Sequence, residues 1–77
     1  MNKNDRKTLQ TYVDKIEEIK MTIEEMKDNE EEKLDNMPEG LQESERGAAM
    51  QEAIDNLENA SSSLEEAIDY INKIVEG

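Results

Sequence analysis

Hydrophobic residues recur with a seven-residue period over the second half of the chain. With Met50 at heptad position a, three positions form one stripe: Met50, Leu57, Leu64 and Ile71 at a, Ala53, Ala60, Ala67 and Ile74 at d, and Ile54, Ser61, Ile68 and Val75 at e. Between Gln51 and Glu76, positions b, c and f carry only polar residues. The pattern predicts an amphipathic helix whose stripe is wide enough to contact more than one neighbouring helix.

A second heptad pattern covers the first half of the chain, from about residue 4 to residue 35. The residues that define it are Leu9, Ile16, Ile23, Glu30 and Met37 at a, and Tyr12, Ile19, Met26 and Lys33 at d. Val13 adds a contact at e, and Asn4 or Asp5 is expected to cap the amino end. The apolar pattern is regular for three repeats and then lapses at Glu30 and Lys33.

The strongest break in the pattern lies at Pro38. Proline lacks a backbone donor and disfavours helical geometry at the preceding residue, so the first helix should end near Asn36. Asn36 or Met37 is then expected to cap the next helix, and a short connection makes the two helices antiparallel neighbours. We therefore predict an all-α single domain over residues 1–77, an antiparallel two-helix hairpin with helices at about 4–36 and 41–76 and a turn at about 36–40.

Two segments of the second half leave alternatives open. Gly47 fits either a close backbone approach to the first helix or a flexible joint, with the helix starting near Ala48. The three serines Ser61, Ser62 and Ser63 resemble a helix start, because glutamate follows two of them at the spacing of a capping box. The heptad phase continues through the serines, which favours one unbroken helix.

Folding the chain at Pro38 predicts that Ile16 meets Leu64, with the alanines at d allowing close helix packing. Ile54, Ile68 and Val75 would remain partly uncovered. Because 77 residues without cysteine bury little apolar surface, a second hairpin is expected to cover them and form a dimeric four-helix bundle. The residues predicted to mediate this self-association are Ile54, Leu57, Leu64, Ile68, Ile71 and Val75.

The amino-acid composition limits the kinds of catalysis and metal binding that the chain can perform. The chain has 21 acidic and 9 basic residues, a net charge of −12, and no histidine, cysteine or tryptophan. Thiol catalysis, histidine acid–base chemistry and soft-metal sites are therefore excluded, and the acidic run after Asp28 has Lys33 where a calcium loop needs glycine. We expect no enzymatic activity, no cofactor, no direct nucleic-acid binding and, lacking a signal or membrane segment, a cytoplasmic location.

The lapse of the pattern near the turn has two interpretations. In the first, Glu30 pairs with Arg46 at an exposed bundle tip, and methionines fill the gaps. In the second, an adaptable apolar patch with an acidic rim binds a basic partner protein. The residues of that hypothetical partner site are Glu30, Glu31, Leu34, Met37, Leu41, Glu45, Arg46 and Met50.

Met50 and four runs in the second half carry a resemblance: Pro38-Glu39-Gly40-Leu41-Gln42, Ser44-Glu45-Arg46-Gly47, Ala53-Ile54-Asp55-Asn56-Leu57 and Ser63-Leu64-Glu65-Glu66-Ala67-Ile68. They resemble short acidic helical-hairpin proteins of unknown function from phages and prophages of Gram-positive bacteria. The resemblance implies a mobile-element origin and residence in a bacterial host, but no activity.

The combined interpretation is a non-enzymatic, acidic, self-associating interaction module that binds or inhibits a host defence or nucleic-acid-processing protein. Two alternatives remain: a nucleic-acid mimic that occupies a basic channel, and a purely structural assembly bundle.

Overall fold

The computed structural model describes residues 1–77 and consists of three helices: α1 at Lys3–Asp35, α2 at Glu39–Gln42 and α3 at Glu45–Glu76. The two long helices α1 and α3 pack against each other as an antiparallel hairpin that measures 58 × 14 × 13 Å. The prediction of an all-α helical hairpin is confirmed. None of the helices combines the length and the apolar character needed to span a membrane.

The helix α1 is capped two residues earlier than the sequence suggests. The Asn2 side chain accepts a hydrogen bond of 2.8 Å from the backbone N–H of Asp5, so the expected cap at Asn4 or Asp5 is wrong. At the other end Asn36 closes α1, and its N–H donates to the carbonyls of Glu32 and Leu34. Asn36 therefore terminates the first helix and does not begin the next one, whose N-cap is Pro38.

The turn contains the one-turn helix α2, which separates the predicted second helix into two pieces. The Gln42 amide Nε2 donates to the carbonyls of Leu34 at 3.0 Å and Met37 at 2.9 Å. These contacts fasten α2 to the carboxyl end of α1, where carbonyl groups lack the partners that a continuing helix would provide. After Gln42 the chain bends, and the Ser44 hydroxyl caps α3 by accepting from the Gly47 N–H at 3.4 Å.

Gly47 is the position where the bend requires glycine. A Cβ atom added there would lie 2.1 Å from the Gln42 carbonyl oxygen, far inside contact distance. The close approach expected at Gly47 exists, but its partner is α2 and not α1. The alternative start near Ala48 is wrong, because α3 already begins at Glu45.

The three consecutive serines do not interrupt α3, which is helical without a break from Glu45 to Glu76. Ser61 is buried, and its hydroxyl donates to Glu24 Oε1 of α1 at 3.0 Å. The prediction of one continuous helix therefore agrees with the structure. Ser61 is tolerated in the seam between the two helices for a simple reason. Its hydroxyl has a partner across the hairpin.

The seam between α1 and α3 uses heptad positions a and e instead of a and d. All five buried residues of the chain are at e: Val13, Gly47, Ile54, Ser61 and Ile68. Tyr12, Ile19 and Met26 at d, predicted to lie in the seam, remain 52–53% exposed. The expectation that Ile54 and Ile68 stay partly uncovered is also wrong, since each is only 3% exposed.

The alanine row lies outside the seam for the same reason. Ala53 and Ala60 at d are exposed and Ala67 is half-buried, so the row does not set the spacing between the two helices. On α3 the larger side chains lie at e, and burying them moves the seam away from the alanines. On α1 the residues at the same position e, Val13 and Lys20, lie in the seam as well.

The pairing of the helices is shifted from the predicted one by about one turn. Lys20 contacts Glu65 and Glu24 contacts Ser61, whereas folding at Pro38 predicts that Lys20 lies near Ala60. With this register Ile16 lies across from Ile68. The half-buried Met37 and the buried Gly47 flank the turn, so its midpoint lies near residue 42 instead of residue 40.

Candidate interaction surface

The residues of the predicted partner site near the turn divide between the seam and the surface. Leu34, Met37 and Met50 are half-buried between the helices, while Leu41 is 51% exposed. The charged residues Glu45 and Arg46 are exposed. The apolar part of this site is thus largely occupied by the hairpin itself, and Leu41 is its one exposed large apolar side chain.

The expected ion pair between Glu30 and Arg46 is wrong. Glu30 lies 3.4 Å from Lys33 within α1, and no carboxylate lies within 4.0 Å of the Arg46 guanidinium. Glu31, also half-buried, contacts Lys27 at 4.0 Å. The register explains the difference, because it places Glu30 across from Ile54 and not across from Arg46.

The residues predicted for self-association form the α3 side of the seam. Ile54 and Ile68 are buried, and the other four members are half-buried: Leu57, Leu64, Ile71 and Val75. Their apolar surface is therefore used first to hold α1 and α3 together. A second copy would have to contact a different side of the hairpin.

A polar cluster around Lys20 links the helices at mid-length. The Lys20 ammonium lies 2.9 Å from Glu24 Oε1 and 3.2 Å from Glu65 Oε2, and Ser61 donates to Glu24. The hydrogen bonds from Lys20 and then from Ser61 lower the pKa of Glu24, and those to Glu24 and Glu65 raise the pKa of Lys20. We call Lys20, Glu24, Ser61 and Glu65 the polar clamp.

The polar clamp also shows which sides of the two helices are adjacent. Glu24 and Glu65 occupy heptad position b in their helices, and both contact the same ammonium group. The b positions of α1 and α3 therefore share one side of the hairpin. On each helix, positions d and g lie on the other side of position a from position b. They therefore share the opposite side of the hairpin.

That opposite side carries no acidic residue along most of its length. We define the d/g face by the residues at these positions: Thr8, Tyr12, Lys15, Ile19, Thr22, Met26, Asn29 and Lys33 on α1, and Arg46, Ala49, Ala53, Asn56, Ala60, Ser63, Ala67, Tyr70 and Ile74 on α3. The one acidic residue at these positions is Asp5, in the first turn of α1, and the face from Thr8 onward contains none of the other 20. The acidic residues are confined to the other positions, the turn and the amino end.

The d/g face also carries most of the large hydrophobic side chains that the hairpin leaves exposed. Tyr12, Ile19 and Met26 form a row on α1, and Ile74 on α3 is 42% exposed. Between them runs the row of alanines on α3. The heptad pattern predicted that these residues lie in the seam. The signal that distinguishes the d/g face is the absence of aspartate and glutamate from the same two positions of both helices after the first turn of α1.

The rest of the surface offers little convergent chemistry. One shallow groove on α3 is lined by Glu66, Asp69 and Lys73 together with Tyr70 at the edge of the d/g face. No group of three carboxylates is arranged to hold a metal ion, and the acidic run after Asp28 is part of α1. Comparison with known protein families, with curated proteins and with solved structures found no match to this chain.

Proposed function

We propose that this chain is a non-enzymatic protein-interaction module that works as a homodimer of hairpins. The observation that carries the proposal is the acid-free d/g face with its row of exposed Tyr12, Ile19 and Met26. Soluble monomers rarely expose extended apolar patches, and such patches mark interaction sites when polar residues surround them. The acidic residues surround this face on both sides.

The small size of the hairpin core supports self-association. Val13, Ile54 and Ile68 are the only hydrophobic residues that the single chain fully buries. The protein has 77 residues and no cysteine, so a disulfide does not reinforce this core. Chains of this size commonly gain the missing apolar burial by oligomerising.

The chemistry of the side chains supports a role without catalysis. The chain has no histidine or cysteine, and its carboxylates are distributed over the surface. Glu24 is the carboxylate with the most partners, and Lys20 lowers its pKa. A general acid working near neutral pH needs the opposite shift, which keeps the proton bound.

The acidic sides remain outward in the proposed dimer, where they form the surface offered to a further, basic protein such as a host enzyme. A nucleic-acid mimic needs rows of free carboxylates instead. Lys20 binds both Glu24 and Glu65 in the middle of the hairpin, which interrupts such a row. The clamp therefore favours the protein-interaction module over the mimic.

Sedimentation equilibrium over a wide range of protein concentrations tests the dimer. We expect a species of twice the 8.9 kDa chain mass and a melting temperature that rises with protein concentration. Added salt should strengthen the dimer, because it screens the repulsion between two chains that each carry a net charge of −12. A stably folded single chain at every concentration and salt level would refute the proposal.

A further inference from the structure

We infer that the second copy docks on the d/g face with both turns at the same end of the bundle, so that α1 of each chain lies across from α3 of the other. The inference rests on the proposed homodimer and adds its contact surface and its orientation. It follows from three properties of the d/g face: its area, its charge and the arrangement of its large and small side chains.

The area of the face suits a dimer. The hairpin is 58 Å long and 14 Å wide, which gives one side a footprint of about 800 Å². A stable protein–protein interface of standard size buries about this much surface on each partner. Docking of two copies through this side would therefore use nearly its whole length, and a short contact near the turn would not reach that area.

The charge of the face favours a second copy over a partner of another kind. Its middle part, from Ile19 to Met26 on α1 and from Asn56 to Tyr70 on α3, has no charged residue of either sign. A strongly basic or strongly acidic partner would find no counter-charge there. A second copy presents the same uncharged middle, so the centre of the contact buries no unpaired charge.

The arrangement of side chains determines the orientation. In the register set by the polar clamp, Ile19 lies level with Ala67, and Met26 lies level with Ala60. A two-fold axis parallel to the helices brings the row of large side chains on α1 over the row of alanines on α3 of the other chain. The two middle layers then each combine a large and a small residue, as close packing requires, while Tyr12 lies level with Ile74 near the termini.

The reverse orientation, with the turns at opposite ends, lacks this match. A two-fold axis perpendicular to the helices stacks α1 on α1 and α3 on α3. The row of Tyr12, Ile19 and Met26 would then meet its own copy, and alanines would meet alanines. One edge of the bundle would be overpacked and the other would contain voids, and both defects destabilise an interface.

Two methionines on α1 provide a matched test of the surface. Met26 belongs to the d/g face and is 53% exposed, while Met21 lies at position f and is 62% exposed. Met26→Glu should weaken the dimer at least about tenfold, because it places a carboxylate in the uncharged middle of the contact. Met21→Glu makes the same chemical change outside the contact and should leave the dissociation constant within about twofold.

Sedimentation equilibrium gives the dissociation constants, and circular dichroism at concentrations where the dimer forms checks that both variants remain helical. If Met21→Glu weakens the dimer as much as Met26→Glu, or if neither variant weakens it, the d/g face is not the contact. The proposal that the chain forms a homodimer is then unaffected. If the wild-type chain never dimerises, the proposed function itself fails. The two failures are thus distinguishable.

The orientation is tested by distances between spin labels, which the absence of native cysteine makes simple. With Glu39→Cys labelled in both chains, turns at the same end should give an interspin distance below half of the 58 Å hairpin length. Turns at opposite ends should give a distance near the full length. A mixed dimer of Glu39→Cys and Asn4→Cys chains is the reciprocal control, because its distance should be long in the first orientation and short in the second.

Discussion

The half of the hairpin that contains the chain termini and the half next to the turn are held together in different ways. In the terminal half, Val13 and Ile68 are buried and the register sets Ile16 across from Ile68, so the seam is aliphatic. In the turn half, Lys27 and Glu30 occupy seam positions and are half-buried. The seam is thus aliphatic at one end, whereas at the other Ile54, Leu34 and Met50 share it with charged side chains beside a tight turn.

The polar seam residues are tolerated because of their shape. Lys20 and Lys27 extend their methylene stems along the seam and bring their ammonium groups to carboxylates at its edge. The exposed ends of these pairs contribute little stability on their own, because water competes for them. Only Lys20 also reaches the other helix, through Glu65, and this pair favours one alignment of α1 and α3.

Replacing the same residue in each half gives the largest expected effect and tests the contrast directly. Ile68 and Ile54 are both 3% exposed, but the seam around Ile68 is aliphatic and Ile54 lies across from Glu30. Ile68→Ala should lower the free energy of unfolding by about 2–5 kcal/mol, because a cavity between branched side chains collapses poorly. Ile54→Ala should fall at the low end of that range, since the flexible Met50 and Lys27 side chains can fill the space.

Urea unfolding monitored by circular dichroism at one fixed protein concentration measures both variants. A fixed concentration is needed because association would shift the apparent stability. Equal losses at the two sites would show that the polar seam packs as rigidly as the aliphatic one. The contrast between the two halves would then not hold.

The turn offers a second comparison of intermediate size, between two glycines. Gly47→Ala places a Cβ 2.1 Å from the Gln42 carbonyl oxygen, so α2 must move and the stability should fall by about 1–3 kcal/mol. A Cβ added at Gly40 would have no atom within 4 Å, and the φ of Gly40 is not positive. Gly40→Ala should therefore be neutral or stabilise the hairpin by up to about 1 kcal/mol.

Thermal unfolding of the two alanine variants beside the wild type distinguishes these outcomes by sign. A further consequence concerns Gln42, whose amide caps α1 through Leu34 and Met37. If α2 moves in Gly47→Ala, amide hydrogen exchange should increase at the end of α1. A Gly47→Ala chain as stable as the wild type would mean that the bend does not need glycine.

The sequence was sufficient to predict the hairpin because its signals are local. Proline at position 38 and two long stretches with helical periodicity determine where the chain reverses. The phase of the seam is not local, since it depends on which side of each helix faces the other. On α1 alone, position d is more apolar than position e, because it holds Tyr12, Ile19 and Met26 where position e holds Val13, Lys20 and Lys27. Position e faces the partner helix because the large apolar side chains of α3 lie at position e.

The d/g face could have been identified from the sequence by asking where acidic residues are missing instead of where apolar residues are present. Apolar character alone cannot show which of two adjacent stripes on a helix faces its partner. In this chain three heptad positions, a, d and e, carry apolar residues. The turn was harder to predict. Its geometry depends on the approach of Gly47 to Gln42 and on hydrogen bonds from a glutamine side chain, which no periodicity reveals.

The polar clamp, at the junction of the two halves, should give the smallest effect, and it depends on pH. The pKa of Glu24 is lowered from its ordinary value of 4.5, so its contribution to stability is present above that value and is lost as the pH falls through the lowered one. The pKa of Lys20 is raised from 10.5, so its contribution is present below 10.5 and is lost only as the pH rises through the raised value.

Glu24→Gln and Glu25→Gln each remove one acidic charge from neighbouring positions, so general repulsion changes equally in both, but only Glu24 belongs to the clamp. At neutral pH Glu24→Gln should therefore unfold at a lower urea concentration than Glu25→Gln, and the gap should close as the pH falls through the lowered pKa of Glu24. Identical midpoints for the two variants at every pH would mean that the ion pairs to Lys20 add nothing to the hairpin. In that case the alignment of the two halves would rest on the aliphatic seam and the turn alone.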